Sequence, residues 1–162
     1  MRPLPSDVNA EFFWGDPDAP RPNRPIGVGV LALIERDGAL LLERRGDCGR
    51  WGLVGGGVDI EESLEDGLRR EVREETGLAA VECSLFRVFD DPTRIARYPD
   101  GNVVRLLTFV YEVRVEDFGA LRRSEESEEL RFFRREELAS LDVIEPARPI
   151  IEGYVSRDVP PG

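Results

Sequence analysis

Three glycines, Gly55, Gly56 and Gly57, stand ahead of Glu62, Arg70, Glu71, Glu74 and Glu75. Carboxylates at these spacings form one acidic surface behind a glycine turn. Such a surface can hold a divalent cation or move protons. The chain has no His, and all 22 of its basic residues are Arg. Arginine stays protonated at any working pH, so proton transfer falls to Asp, Glu, Tyr, Cys or a cation-activated water.

The carboxylates need an element to hold them together. Ser63 followed by Asp66 fits a capped helix start, and Gly77 fits the left-handed residue beyond a helix end, which predicts a helix over residues 64 to 76. At about 100° per residue, Glu71, Glu74 and Glu75 share one side. Leu64, Leu68 and Val72 project close to Glu75, so Glu75 faces the core. A buried unpaired carboxylate costs several kcal/mol or becomes neutral, whereas a bound cation removes the conflict. Arg70, four residues before Glu74, offsets only about 0.2–0.5 kcal/mol of the repulsion.

Gly67 lies within the carboxylate stripe, although glycine in a helix costs about 1 kcal/mol relative to alanine. Close packing is expected there. The glycine turn is the candidate, and it could bring a backbone carbonyl to the same hard cation. A solvated, salt-bridged helix face is the competing explanation. The core-facing Glu75 favours the cation.

Around this helix the chain reads as a mixed sheet covered on both faces, in one domain over residues 26 to 162. An apolar run at 26 to 34, the punctuation Arg36-Asp37-Gly38 and ALLLE read as a hairpin. Further strands are expected at 51 to 58, 80 to 89, 103 to 113 and from 129, and a terminal helix at Ile150, Ile151 and Tyr154. Residues 90 to 102 read as a loop. Residues 1 to 25, with six prolines around Phe12, Phe13 and Trp14, read as an extended arm. The aromatics would anchor it to its own domain or to a second copy, which makes a homodimer an open expectation. Stacking on a base is a less favoured role.

A net charge of −11 argues against binding nucleic acid or anionic membrane. Cys48 and Cys83 lack metal-ligand spacing, and no apolar run suits a signal peptide or a membrane span. A cytoplasmic setting is the default expectation.

The run from Gly56 through Glu62, Arg70-Glu71-Val72, Glu74-Glu75 and Gly77-Leu78 resembles the Nudix box, the signature of the Nudix hydrolases. Val54 departs from the pattern, because proline often precedes the glycine pair. The resemblance implies an α/β/α sandwich with a mixed β-sheet, and hydrolysis of a nucleoside diphosphate linked to another moiety. It implies that Glu71, Glu74 and Glu75 hold Mg²⁺ or Mn²⁺, that Arg70 orients Glu71, that Glu62 is an outer member and that the Gly55 carbonyl is a further ligand. Family members often add a later carboxylate. Glu126 and Glu128 are the candidates, as general base or extra ligand, because alternate positions entering a strand point one way. Glu125 and Glu129 are their rivals.

The small-molecule nucleotide would meet Arg94, Arg97, Tyr98 and Arg105, since arginine suits phosphate and tyrosine suits stacking. An ordinary surface loop explains those residues equally well. An ADP-ribose-like compound, a nucleotide sugar and a modified nucleoside triphosphate all fit, and a catalytically silent nucleotide sensor is the alternative. The lack of histidine argues against isopentenyl diphosphate isomerisation.

Overall fold

The structure is a computed structural model that describes residues 9–157. The first eight residues of the expected arm lie outside the described residues. Eight strands form among these residues: β1 (Glu11–Phe13), β2 (Gly27–Arg36), β3 (Ala39–Arg45), β4 (Trp51–Gly57), β5 (Glu82–Phe89), β6 (Ile95–Arg97), β7 (Val103–Arg114) and β8 (Ser127–Arg134), with branched residues and leucine dominating β2, β3 and β7. Helix α1 is Leu64–Thr76, α2 is the single turn Arg135–Leu138, and α3 is Arg148–Arg157.

Local chemistry sets several of these bounds. Ser63 Oγ accepts the Asp66 N–H at 3.1 Å to start α1, and Gly77 at φ 73° ends it with its N–H on the Arg73 carbonyl. Asp37 and Gly38 both have positive φ, 52° and 79°, which is the mirror-image turn that matches the twist of a two-residue hairpin between β2 and β3.

The strands run β1-β6-β7-β2-β4-β3-β8, with β5 also on β7. The β2–β7 pair is parallel and the other strand pairs are antiparallel, so the sheet is mixed. Alternation along β2 decides the layers. Val30, Ala32 and Ile34 pack with Leu68 and Val72 of α1, whereas Leu33 packs with Ile150, Ile151 and Tyr154 of α3. The result is the expected α/β/α sandwich.

Two short strands lie where irregular chain is expected. Residues 11 to 13 of the arm pair with residues 95 to 97, so arm and loop together extend the sheet. Three-residue strands carry too little alternation to be seen without their partner. Asn23 secures the end of the arm through bonds to Val103 and Gly101. No helix among the described residues is long and apolar enough to cross a membrane.

Candidate active site

Strand β4 and helix α1 meet where the glycines and glutamates face each other. Glu75, 8% exposed, accepts the Gly55 N–H at 2.8 Å. A Cβ on Gly56 would lie 2.9 Å from the carboxyl carbon and both oxygens of Glu71. Glycine at 56 therefore gives Glu71 its seat. Close approach of the glycine turn is expected at Gly67, but that residue faces the Val58 side chain and Glu62 instead. The glycine turn comes up one and two helical turns later, against Glu71 and Glu75.

Arg70 organises the helix surface. Its Nε and Nη2 donate to the two Glu62 oxygens at 2.7 and 2.8 Å, Nη1 to Glu71 at 2.9 Å and Glu74 at 3.2 Å, and Nη2 also to the Gly57 carbonyl at 3.1 Å. The Arg70 hydrogen bond is the main reason the Glu62 pKa falls to about 2. Glu74 remains 59% exposed in its side chain, at the outer rim.

A glutamate that sequence reasoning misses completes the cluster. Glu43 follows Leu41 by two residues on β3, so it faces α1, where it is buried and accepts the Ser127 hydroxyl at 2.7 Å. It closes a strand whose two faces are both buried, and alternation alone cannot tell which face it takes. Burial first, and then the neighbouring Glu43 charge, push the Glu75 pKa up to about 9. Burial also raises Glu43 and Glu71, with Glu126 adding repulsion to both.

These groups line an open cleft of about 670 Å³, together with Arg45, Asp47, Tyr98, Glu125 and Glu126. Glu128 lies outside it and pairs with Arg44 at 3.4 Å. Two-residue alternation fails here for a specific reason. Arg44 pairs with Glu129 and Arg45 with Ser127, so Glu128 is the extra residue of a bulge. Glu129 salt-bridges Arg131, and it too is absent from the cleft wall.

The four expected substrate contacts divide. Tyr98 lines both this cleft and a smaller cavity beside it, and Arg94 lines the cavity. Arg97 pairs with Glu11 on the outside of the arm, and Arg105 donates to the Asp90 carbonyl at 2.8 Å. Neither faces the cleft or the cavity.

The donor set suits a hard divalent cation. Several carboxylates surround one cleft, one is pushed far above its ordinary range by burial and its neighbours, and a missing Cβ at Gly56 seats another. Among the described residues no three side chains already converge as a metal cage, because each takes a different protein donor: Arg70, the Gly55 N–H or Ser127.

Residues 23–154 match the family model of the NUDIX domain. The chain belongs to the Nudix family. Over 78 residues it is 42% identical to the nucleoside triphosphatase NudI of Escherichia fergusonii, a match that covers 44% of this chain and 55% of that protein. The chain thus spans about half the length of the curated relatives it matches. Among solved structures, the MutT NUDIX hydrolase from Burkholderia pseudomallei is 31% identical with a TM-score of 0.65, over 81% of this chain and 98% of that one. The NUDIX domain of NrtR from Shewanella oneidensis, solved with ADP ribose, shares the fold at 20% identity and a TM-score of 0.64, over 88% of this chain and 92% of that one. The Nudix box lies on β4 and α1, where its carboxylates meet Glu43 and Glu126.

Proposed function

We propose that this Nudix chain hydrolyses a phosphoanhydride bond of a nucleotide, with Mg²⁺ or Mn²⁺ held by Glu71, Glu75 and the Gly55 carbonyl, and Glu74 and Glu43 as adjacent acidic groups. The observation that carries the reading is the single cleft in which Glu43, Glu71, Glu75 and Glu126 meet beside a smaller, largely apolar cavity. A divalent cation bound there would neutralise diphosphate charge and make water more acidic. Everything else falls to the chain's own groups.

Arg70 holds Glu71 in place through the bond at 2.9 Å, so that carboxylate is positioned before substrate arrives. Glu126, on the turn before β8, lines the cleft and would take a proton from the attacking water. It is favoured over Glu128, which lies outside the cleft. Arg45 also lines the cleft, and Asp47 fixes its guanidinium by two bonds of 2.9 and 2.7 Å. That charge would face the phosphates. The described part of the arm, paired to the sheet through β1, and residues 26 to 157 would act as one unit.

The test is turnover of a panel of nucleoside triphosphates, nucleotide sugars, dinucleoside polyphosphates and ADP-ribose with Mg²⁺ and Mn²⁺. Glu71→Gln and Glu75→Gln should each cut kcat by about a hundredfold or more while keeping the fold. Full metal-dependent turnover in both variants would remove the reading. Tight nucleotide binding with no product from the wild type would favour a sensor.

A further inference from the structure

Next to the carboxylate cleft lies a cavity of about 160 Å³. It shares Arg45, Gly55, Gly56, Gly57 and Tyr98 with the cleft, so one ligand can reach into both. A whole small-molecule site usually takes about 300–1,000 Å³, so this space suits a fragment of a ligand. Its apolar wall includes Phe12, Leu31, Leu53, Leu106 and Ile144. Apolar and joined to a wider, polar cleft, it has the form that a nucleobase needs.

Two features give this cavity a preference. Phe12 comes from the arm, outside the residues 23–154 that match the domain. Pairing of β1 with β6 and the bond from the Ala10 N–H to the Asp47 carbonyl at 3.0 Å hold it there, and the Arg45 guanidinium lies 4.9 Å from its ring centre.

The second feature is Arg94, only 2% exposed and without an ion pair among the described residues. Its Nη1 donates to the Pro146 carbonyl at 2.6 Å and its Nη2 to Thr108 Oγ1 at 3.2 Å, while Nε has no partner. A buried guanidinium without a salt-bridge partner is costly, and burial lowers its pKa to about 10, with the Asp91 charge only partly offsetting the loss. Because Thr108 Oγ1 accepts from Arg94, its own hydrogen is left to donate. Arg94 and Thr108 therefore offer hydrogen-bond donors and positive charge on this wall.

We propose that Phe12 and Arg94 make this cavity a nucleobase subsite that selects bases with ring carbonyl oxygens, such as guanine or uracil, over adenine. Guanine presents O6 and N7 as acceptors, whereas adenine keeps N7 but presents an amino donor in place of O6. A donor wall pairs with the guanine or uracil carbonyl and sets donor against donor at the adenine amino group, with both sides desolvated. The inference rests on the nucleotide reading of the cleft.

Calorimetry of the full chain with GMP, UMP and AMP, without divalent cation, reads the base preference apart from turnover. GMP and UMP should bind roughly tenfold or more tightly than AMP. Phe12→Ala should weaken all three, and Arg94→Met, if its melting curve shows a folded protein, should bring the ratio near one. Equal affinity for the three, or no binding of any at millimolar concentration, overturns the inference. So does a folded Arg94→Met that keeps the full preference. If Arg94→Met does not fold, the wild-type ratio and Phe12→Ala decide. Base preference without hydrolysis of any nucleotide would sink the hydrolase reading alone, whereas hydrolysis without base preference would sink this inference alone.

Discussion

The carboxylate of Glu75 accepts the backbone N–H of Gly55 at 2.8 Å, across twenty residues of sequence. That bond joins the helix of the Nudix box to its glycine strand and holds an acidic group inside the protein. Its cost shows in protonation, because burial and Glu43 push the Glu75 pKa up to about 9.

From this follows a pH dependence. Between the ordinary value of 4.5 and about 9, the folded protein keeps a proton that the unfolded chain has released. Stability without divalent cation should therefore fall as pH rises through that window, by at most ~1.4 kcal/mol per pH unit for one proton. Glu75→Gln should flatten the slope. Melting temperatures in chelator from about pH 5.5 to about pH 8.5 check this, and parallel slopes for the two proteins would contradict it.

Neighbouring glycines should respond differently to alanine. Gly55 has φ 143°, and its Cβ would fall 2.1 Å from the Val30 carbonyl oxygen, which cannot move without breaking the β2–β4 register. Gly55→Ala should cost ~3 kcal/mol or more. The three atoms nearest a Cβ on Gly56 all belong to the Glu71 carboxylate, the far end of a side chain, so Gly56→Ala should fold but bind Mn²⁺ about tenfold more weakly. Chemical denaturation and metal titration separate the two; a fully stable Gly55→Ala would refute the clash.

Glu126 and Glu128 can be told apart by kinetics. Glu126→Gln should lower kcat by about a hundredfold, in the range of general-base loss, while Glu128→Gln should stay within about threefold of wild type. The reverse order would mean that the cleft loop rearranges on substrate binding.

In the proposed reaction Arg70 would act as a positioning residue. It bridges Glu62, Glu71, Glu74 and the Gly57 carbonyl with a planar fork that lysine cannot reproduce. Arg70→Lys should reduce kcat by about ten- to a hundredfold with KM little changed. A rise in KM alone would assign Arg70 to substrate binding instead.

Much of the site is legible in the chain's local patterns. The capping residues Ser63 and Gly77 bound α1, and its apolar stripe turns Glu75 inward, because helix geometry depends only on near neighbours in sequence. Glu43 is not legible, since the leucines ahead of it fill both faces of β3. Alternation places Glu128 with Glu126, and the bulge at Arg44 and Arg45 breaks that alternation. Val58 takes the place at Gly67 that the spacing assigns to the glycine turn.

The sequence by itself determined the acidic helix, the hairpin turn at Asp37 and Gly38, and the family, because each is written in residues a few positions apart. Tertiary structure alone decided that Glu43 joins Glu75, that Glu126 faces the cleft, and that Phe12 and Arg94 share a cavity. Those relations span 32 to 82 residues and depend on strand register and sheet order. Register is set by which strands pair and by where a bulge falls, and neither is a property of any one segment.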